Sequence, residues 1–140
     1  MNQEVLKRLN QILEWEVSGV PRYLHYSLMI TGPNRIPIVK WFRDQALESF
    51  NHATIIGEKI TALGGHPSIK VNEPPERNRH AVLEILEESL EFEREGLRKY
   101  QELLPFCEKD VALEELVRQF IREETEHIEE VLKMLATSPK

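Results

Sequence analysis

Four glutamates and two histidines fall on the apolar stripes of four separate stretches of this chain: Glu16, Glu48 with His52, Glu93, and Glu124 with His127. Each stripe is the side that a helix turns towards a core, and a core penalises unpaired charge heavily. Carboxylates and imidazoles pooled in such a place are stable when a cation sits among them. In Glu124-Glu-Thr-His127 a carboxylate and an imidazole stand three residues apart, neighbours on one helix face. One ion can take the imidazole nitrogen while the carboxylate reaches a second ion. A lone carboxylate from a facing helix, Glu16 or Glu93, then closes each coordination shell. Oxygen-rich shells with one nitrogen suit iron or manganese better than zinc. Two such ions leave positions open to dioxygen or peroxide, and the chemistry is redox between the divalent and trivalent states.

Taken singly, these residues say little. A glutamate can sit at the edge of a stripe, an imidazole beside apolar neighbours is commonly a hydrogen-bonded core group, and E-x-x-H arises by chance in acidic helices. The conjunction carries the argument, because four carboxylates and two imidazoles converge on the middle of one bundle. His25, His66 and His80 have no companion ligands at helical spacing and are read as surface or structural groups. Trp15, Trp41 and Phe42 are read as core or subunit-interface residues. The run Glu84, Glu87, Glu88 and Glu91 is read as a solvated face.

The elements that must position the six follow from helical periodicity, and no strand pattern competes with it. A first helix is expected from about Asn2 to Thr31, with Leu9, Leu13, Glu16, Val20, Tyr23 and Ser27 inward, stopped by Thr31-Gly32-Pro33-Asn34. Inside it, Pro21 cannot donate to the Val17 carbonyl, which predicts a bend close to Glu16. A second helix from about Ile36 to Leu63 turns Ile38, Trp41, Gln45, Glu48, His52, Ile55, Lys59 and Leu63 inward and ends on a Gly64-Gly65 cap. A third from about Asn78 to Leu104 lines up Val82, Leu86, Ser89, Glu93, Gly96, Tyr100 and Leu103, with Pro105 or Asp110 marking its end. A fourth from about Val111 to Ala136 lines up Leu113, Val117, Phe120, Glu124, His127, Val131 and Leu135, and Ser138-Pro139-Lys140 closes the chain with no fifth helix.

Residues 64–77 hold three prolines and two glycines and form a genuine connection. Fourteen extended residues cover about 45 Å, enough to travel along a 28-residue helix of about 42 Å. The expected fold is therefore all-α: an antiparallel four-helix bundle with a long crossover between helices two and three, a single domain over residues 1–140.

Bulk properties agree. The 140-residue chain is long enough for a real core, and its net charge of −6 has basic residues scattered among acidic ones. That disfavours nucleic acid or an anionic membrane as partner. Cys107 stands alone, without CxxC pairs, which points to a reducing compartment. No stretch is apolar enough to span a membrane, and the acidic, amphipathic start is unlike a secretory signal. The cytoplasm is the expected location.

The residues resemble the ferritin-like superfamily, the bacterioferritin branch most closely. The motifs are Leu9-Asn10 with Glu16 and Tyr23, His52-Ala53 followed by Leu63-Gly64-Gly65-His66-Pro67, Glu93 with Gly96, and Glu124 with His127. One Glu from each of two helices and a Glu/His pair from each of the others is the pattern known for that superfamily's di-iron bundles. The resemblance implies ferrous iron oxidised by dioxygen or peroxide, for storage or detoxification, at two iron ions (manganese being possible). It implies Glu16 and Glu93 as terminal ligands, Glu48 and Glu124 as bridges, and His52 and His127 as nitrogen donors. Tyr23 would stand by the metals as a hydrogen-bond donor or one-electron relay, and a homodimer or larger homo-oligomer would form through the first two helices.

The chain departs from that pattern in three places. The bridging Glu expected three residues before His52 is Ser49, with Glu48 one residue earlier. The axial methionine of haem-binding relatives is Phe50, which speaks against haem by that route. The fifth helix is absent. Two other readings stay open: a metal-binding bundle without turnover, motivated by Ser49, and a rubrerythrin-like peroxide-reducing oxidoreductase relying on an external reductant.

Overall fold

The computed structural model describes residues 3–72 and 75–136. All regular structure in them is helical: α1 spans Gln3–Met29, α2 Arg35–Ala62, α3 Val82–Leu103 and α4 Val111–Leu135, with a 3-10 turn at Leu104–Cys107. The chain divides into two compact units, residues 1–80 and 81–140. Each is a helical hairpin, α1 packed on α2 in the first and α3 on α4 in the second. No helix among the described residues is long and apolar enough to cross a membrane.

In the first hairpin, α1 keeps its helical conformation through Pro21. The expected α1 stripe is met at Leu9, Leu13, Glu16, Tyr23 and Ser27, all buried, with Val20 half-buried. Buried serines return their hydroxyls to the helix, Ser18 to the Trp15 carbonyl and Ser27 to the Leu24 carbonyl, both at 2.6 Å. Asn10 ties the start of the crossover to α1. Its Nδ2 donates to the His66 carbonyl at 3.0 Å, and its Oδ1 accepts from the Ser68 amide at 2.8 Å. Ser68 Oγ then donates to Glu14 Oε2 at 2.7 Å.

Helix α2 corrects the expected stripe by one residue, a rotation of about 100°. Buried are Val39, Phe42, Gln45, Ala46, Ser49, His52, Ala53, Ile56 and Ile60. Trp41, Glu48 and Lys59 are half-buried and Ile55 is exposed. Small residues face the packing side of this helix, whereas Ile36, Leu47, Phe50 and Ile55 point outward. Its apolar contrast is therefore weak in the sequence, and only Gln45 and His52 belong to both stripes.

The exit of α2 is a Schellman cap. Gly64 takes φ +81°, its amide donates to the Thr61 carbonyl at 3.0 Å, and the Gly65 amide donates to the Ile60 carbonyl at 2.9 Å. A Cβ on Gly65 would meet Leu6 Cδ2 at 2.7 Å, so the chain crosses close over α1 there.

In the second hairpin α3 starts at Val82, four residues later than expected. Asn78 sits at φ 51° and Ala81 is extended, so the segment before Val82 spends its turn-forming residues outside the helix. The expected stripes hold closely. Leu86, Ser89, Glu93, Gly96, Tyr100 and Leu103 are buried on α3, and Leu113, Val117, Phe120, Glu124 and Val131 on α4. Tyr100 and Phe120 pack ring to ring at 5.3 Å. Asp110, expected as an end for the third helix, caps the fourth by accepting from the Leu113 amide at 3.0 Å. The expected helix start at Asn2 and the close at Ser138-Pro139-Lys140 fall outside the described residues.

Cys107 is fully enclosed at this corner, with Sγ 3.5 Å from the Leu103 carbonyl. Burial, with Asp110 and Glu114 nearby, pushes its thiol up to about 11 from an ordinary 9.0.

Two outcomes follow. Gly64→Ala places a side chain in the left-handed region and is expected to lower stability by about 1–2 kcal/mol in chemical denaturation. The folded Cys107 holds its proton more tightly than the unfolded chain does, so folding stability declines as pH rises from 9.0 through about 11. Denaturation midpoints measured across that interval should fall in the parent and fall less in Cys107→Ala.

Candidate metal centre

Each hairpin builds its own set of donors. In the first, α1 supplies Glu16 and α2 supplies His52 and Glu48. Glu16 Oε1 lies 3.5 Å from His52 Nδ1, and Glu48 Oε1 lies 3.5 Å from His52 Nε2. Glu16 and His52 are 1% and 5% exposed. The Glu48 side chain keeps 31% of its surface. The imidazole therefore has a buried carboxylate on one nitrogen and a half-exposed carboxylate on the other. Both contacts are longer than a good N–H···O hydrogen bond of about 2.9 Å.

In the second hairpin, α3 supplies Glu93 and α4 supplies Glu124 and His127. The three offer ligand atoms that all lie within 4.8 Å of one another. Glu93 and Glu124 are each 3% exposed, and His127 is half-buried. Two ionised carboxylates at such a separation repel by roughly 3–4 kcal/mol at an effective dielectric near 20. Two carboxylates and an imidazole gathered in this way could hold a divalent cation. The donor chemistry, hard oxygens with one borderline nitrogen, fits iron or manganese.

Of the six expected residues, Glu93, Glu124 and His127 form one donor group, while Glu16 and Glu48 stand beside different nitrogens of His52. Tyr23 is buried in a ring cluster, its centroid 6.1 Å from that of Tyr26 and 6.4 Å from that of Phe42. Ser49 is buried on α2, while Phe50 is 60% exposed. His25, given no companion at helical spacing, makes a surface contact of 3.2 Å with Glu76. Its partner lies in the crossover, where periodicity offers no signal.

The sequence profile of the ferritin-like domain matches residues 6–140. This chain belongs to the ferritin-like family. It is 29% identical over 130 residues to the bacterioferritin of Brucella melitensis biotype 1, a match spanning 90% of this chain and 79% of that protein. To the bacterioferritin of Rhodobacter capsulatus it is 25% identical over 128 residues, with the same coverage. A solved ferritin-like, diiron-carboxylate protein from Bacillus anthracis str. Ames superimposes with a TM-score of 0.90. That likeness has 26% identity and covers 97% of this chain and all of the other. The Rhodobacter capsulatus bacterioferritin structure, with a metal-free dinuclear site and haem iron, gives 0.84 at 23% identity over 96% of this chain and 85% of its own. The fold is accordingly the four-helix bundle of that family, as the helical spacing predicts.

Glu93→Gln replaces a buried carboxylate, which is costly to desolvate, by a neutral amide of similar shape, and is expected to stabilise the metal-free chain by about 1–3 kcal/mol. It should also erase most of the rise in melting temperature that manganous ion gives the parent. Calorimetry with and without manganese checks both, and a lower metal-free melting temperature with an intact manganese effect would contradict the assignment.

Proposed function

We propose that this chain is a di-iron carboxylate protein that oxidises ferrous iron with dioxygen or hydrogen peroxide, the whole chain acting as one bundle domain. The observation that carries this reading is the Glu93, Glu124 and His127 donor set, all within 4.8 Å, in a member of the ferritin-like family. Glu16 and His52, with Glu48 beside the ring, are the matching set from the first hairpin. In this reading Glu16 and Glu93 would be terminal ligands, Glu48 and Glu124 bridging carboxylates, and His52 and His127 the nitrogen donors. Four carboxylates balance the charge of two divalent cations, which makes the buried glutamates tolerable in the loaded protein.

Ferrous iron is the substrate. Two ferrous ions each give up one electron, and dioxygen takes both with two protons to become hydrogen peroxide. With peroxide as oxidant, two electrons and two protons give two waters. The protein's part is to hold two cations of like charge close together and to offer carboxylates that favour the trivalent state. Tyr23, enclosed among Tyr26 and Phe42, is placed in this reading as a hydrogen-bond donor or one-electron relay.

The bacterioferritin relatives support iron as the metal and storage or detoxification as the purpose. Exposed Ile36, Leu47, Phe50 and Ile55 on α2, with Leu24 and Leu28 on α1, support a homo-oligomer formed through the first hairpin. The cytoplasm is the proposed location. A metal-binding bundle without turnover is the second reading, favoured by Ser49 and by the partial exposure of Glu48.

Glu124→Ala is expected to abolish rapid ferrous oxidation, followed by ferric absorbance after mixing with aerated buffer, and to lower bound metal below two ions per chain. A variant that oxidises iron like the parent sinks the site assignment. A parent that binds metal yet shows no ferric absorbance favours the bundle without turnover.

A further inference from the structure

We propose that His25 and Glu76 are positioning residues: by fastening the crossover to α1 beyond Pro21, they keep that helix from bending and so fix Tyr23 relative to Glu16. This rests on the reading above, in which Glu16 and Tyr23 serve one site, and adds two residues outside it.

Pro21 is the weak point of α1. It carries no amide to give the Val17 carbonyl, and its ring crowds that carbonyl on its own side of the helix. A proline therefore opens the side on which it sits and bends the helix away from it. Yet α1 runs unbroken from Gln3 to Met29. Glu16 stands before the proline and Tyr23 after it, so a bend there changes the distance between them. A bend also shifts Tyr23 against Phe42, the α2 ring stacked on it with centroids 6.4 Å apart.

The crossover is fastened to α1 on both sides of this point. Before it, Asn10 holds the His66 carbonyl and the Ser68 amide, and Glu14 accepts from the Ser68 hydroxyl. Beyond it, His25 Nε2 meets Glu76 Oε1 at 3.2 Å. At about 100° per residue, Asn10, Glu14, Pro21 and His25 fall within roughly 60° of one another around the helix. Pro21 is exposed on that side, so the tether spans the side that a proline bend would lengthen. From Asn10 to His25 the helix rises about 22 Å, and the chain from Ser68 to Glu76 reaches about 26 Å. So short a tether has little slack, and opening α1 at Pro21 pulls on the His25–Glu76 contact. The two anchors are unequal. The first is a set of three hydrogen bonds, whereas the second joins side chains that are 44% and 61% exposed. Exposed pairs of this kind are individually weak and are screened by salt. His25 and Glu76 therefore form the releasable end.

The test follows amide hydrogen exchange in the metal-free, full-length chain at Arg22, Tyr23 and Leu24, whose helical bonds span Pro21. The proteins are the parent, His25→Ala, Glu76→Gln, Pro21→Ala, and Pro21→Ala combined with His25→Ala. Exchange at these amides is expected to be about two- to fivefold faster in His25→Ala and in Glu76→Gln than in the parent. Pro21→Ala restores the missing hydrogen bond, and adding His25→Ala to it should change exchange by less than about 1.5-fold. A contact that merely stabilises the fold would act alike in both backgrounds. In about 1 M salt the parent should approach the Glu76→Gln rate. Ferrous oxidation should be about two- to fivefold slower in His25→Ala and return towards the Pro21→Ala rate when both changes are present. Equal acceleration of exchange with and without the proline, no acceleration in either, or unchanged oxidation in His25→Ala overturns the proposal. A parent that oxidises no iron sinks the reading of the site alone, because exchange needs no metal.

Discussion

Carboxylate charge inside a helical core is the constraint on which this molecule turns. Glu16, Glu93 and Glu124 are almost fully enclosed, and two of them come from one hairpin with oxygens within 4.8 Å. Desolvating each costs several kcal/mol, and an apolar side chain in the same place would avoid that cost. In the proposed reading a cation supplies the opposing charge, and the stability of the loaded chain and its chemistry then share one origin.

The surrounding architecture serves that constraint by rigidity. Long helices hold the candidate ligands at fixed axial heights, and two histidines arrive on the same faces as glutamates three or four residues away. Ser18, Ser27 and Ser89 donate their hydroxyls to carbonyls of their own helices. The crossover is pinned to α1 by Asn10 and Ser68, and the Schellman cap aims it. Irregular backbone is thereby fastened at the point where it leaves α2.

The residues differ in how openly the sequence declares their place. On α3 and α4 a sharp alternation of acidic and apolar residues gives unambiguous stripes, and Glu93, Glu124 and His127 fall on them. On α2 large apolar groups occur on two sides, and the packed side is built from Ala46, Ser49 and Ala53. Hydrophobicity alone then selects the stripe one residue away, placing Glu48 in the core and Ser49 at its edge, the reverse of their burial. The start of α3 was displaced for a local reason, because Asn78 adopts a left-handed conformation that a helical pattern cannot reveal.

From residue order alone came four helices, the long connection after α2, the family, and the six candidate ligands, because periodicity and spacing are properties of a single strand of chain. Tertiary packing decided which nitrogen of His52 meets which carboxylate, how far Glu48 stays in solvent, and that Cys107 is enclosed. Those outcomes depend on the rotation of one helix against another and on side-chain direction. A one-residue rotation leaves the composition of a helix unchanged while turning its inner face by about 100°.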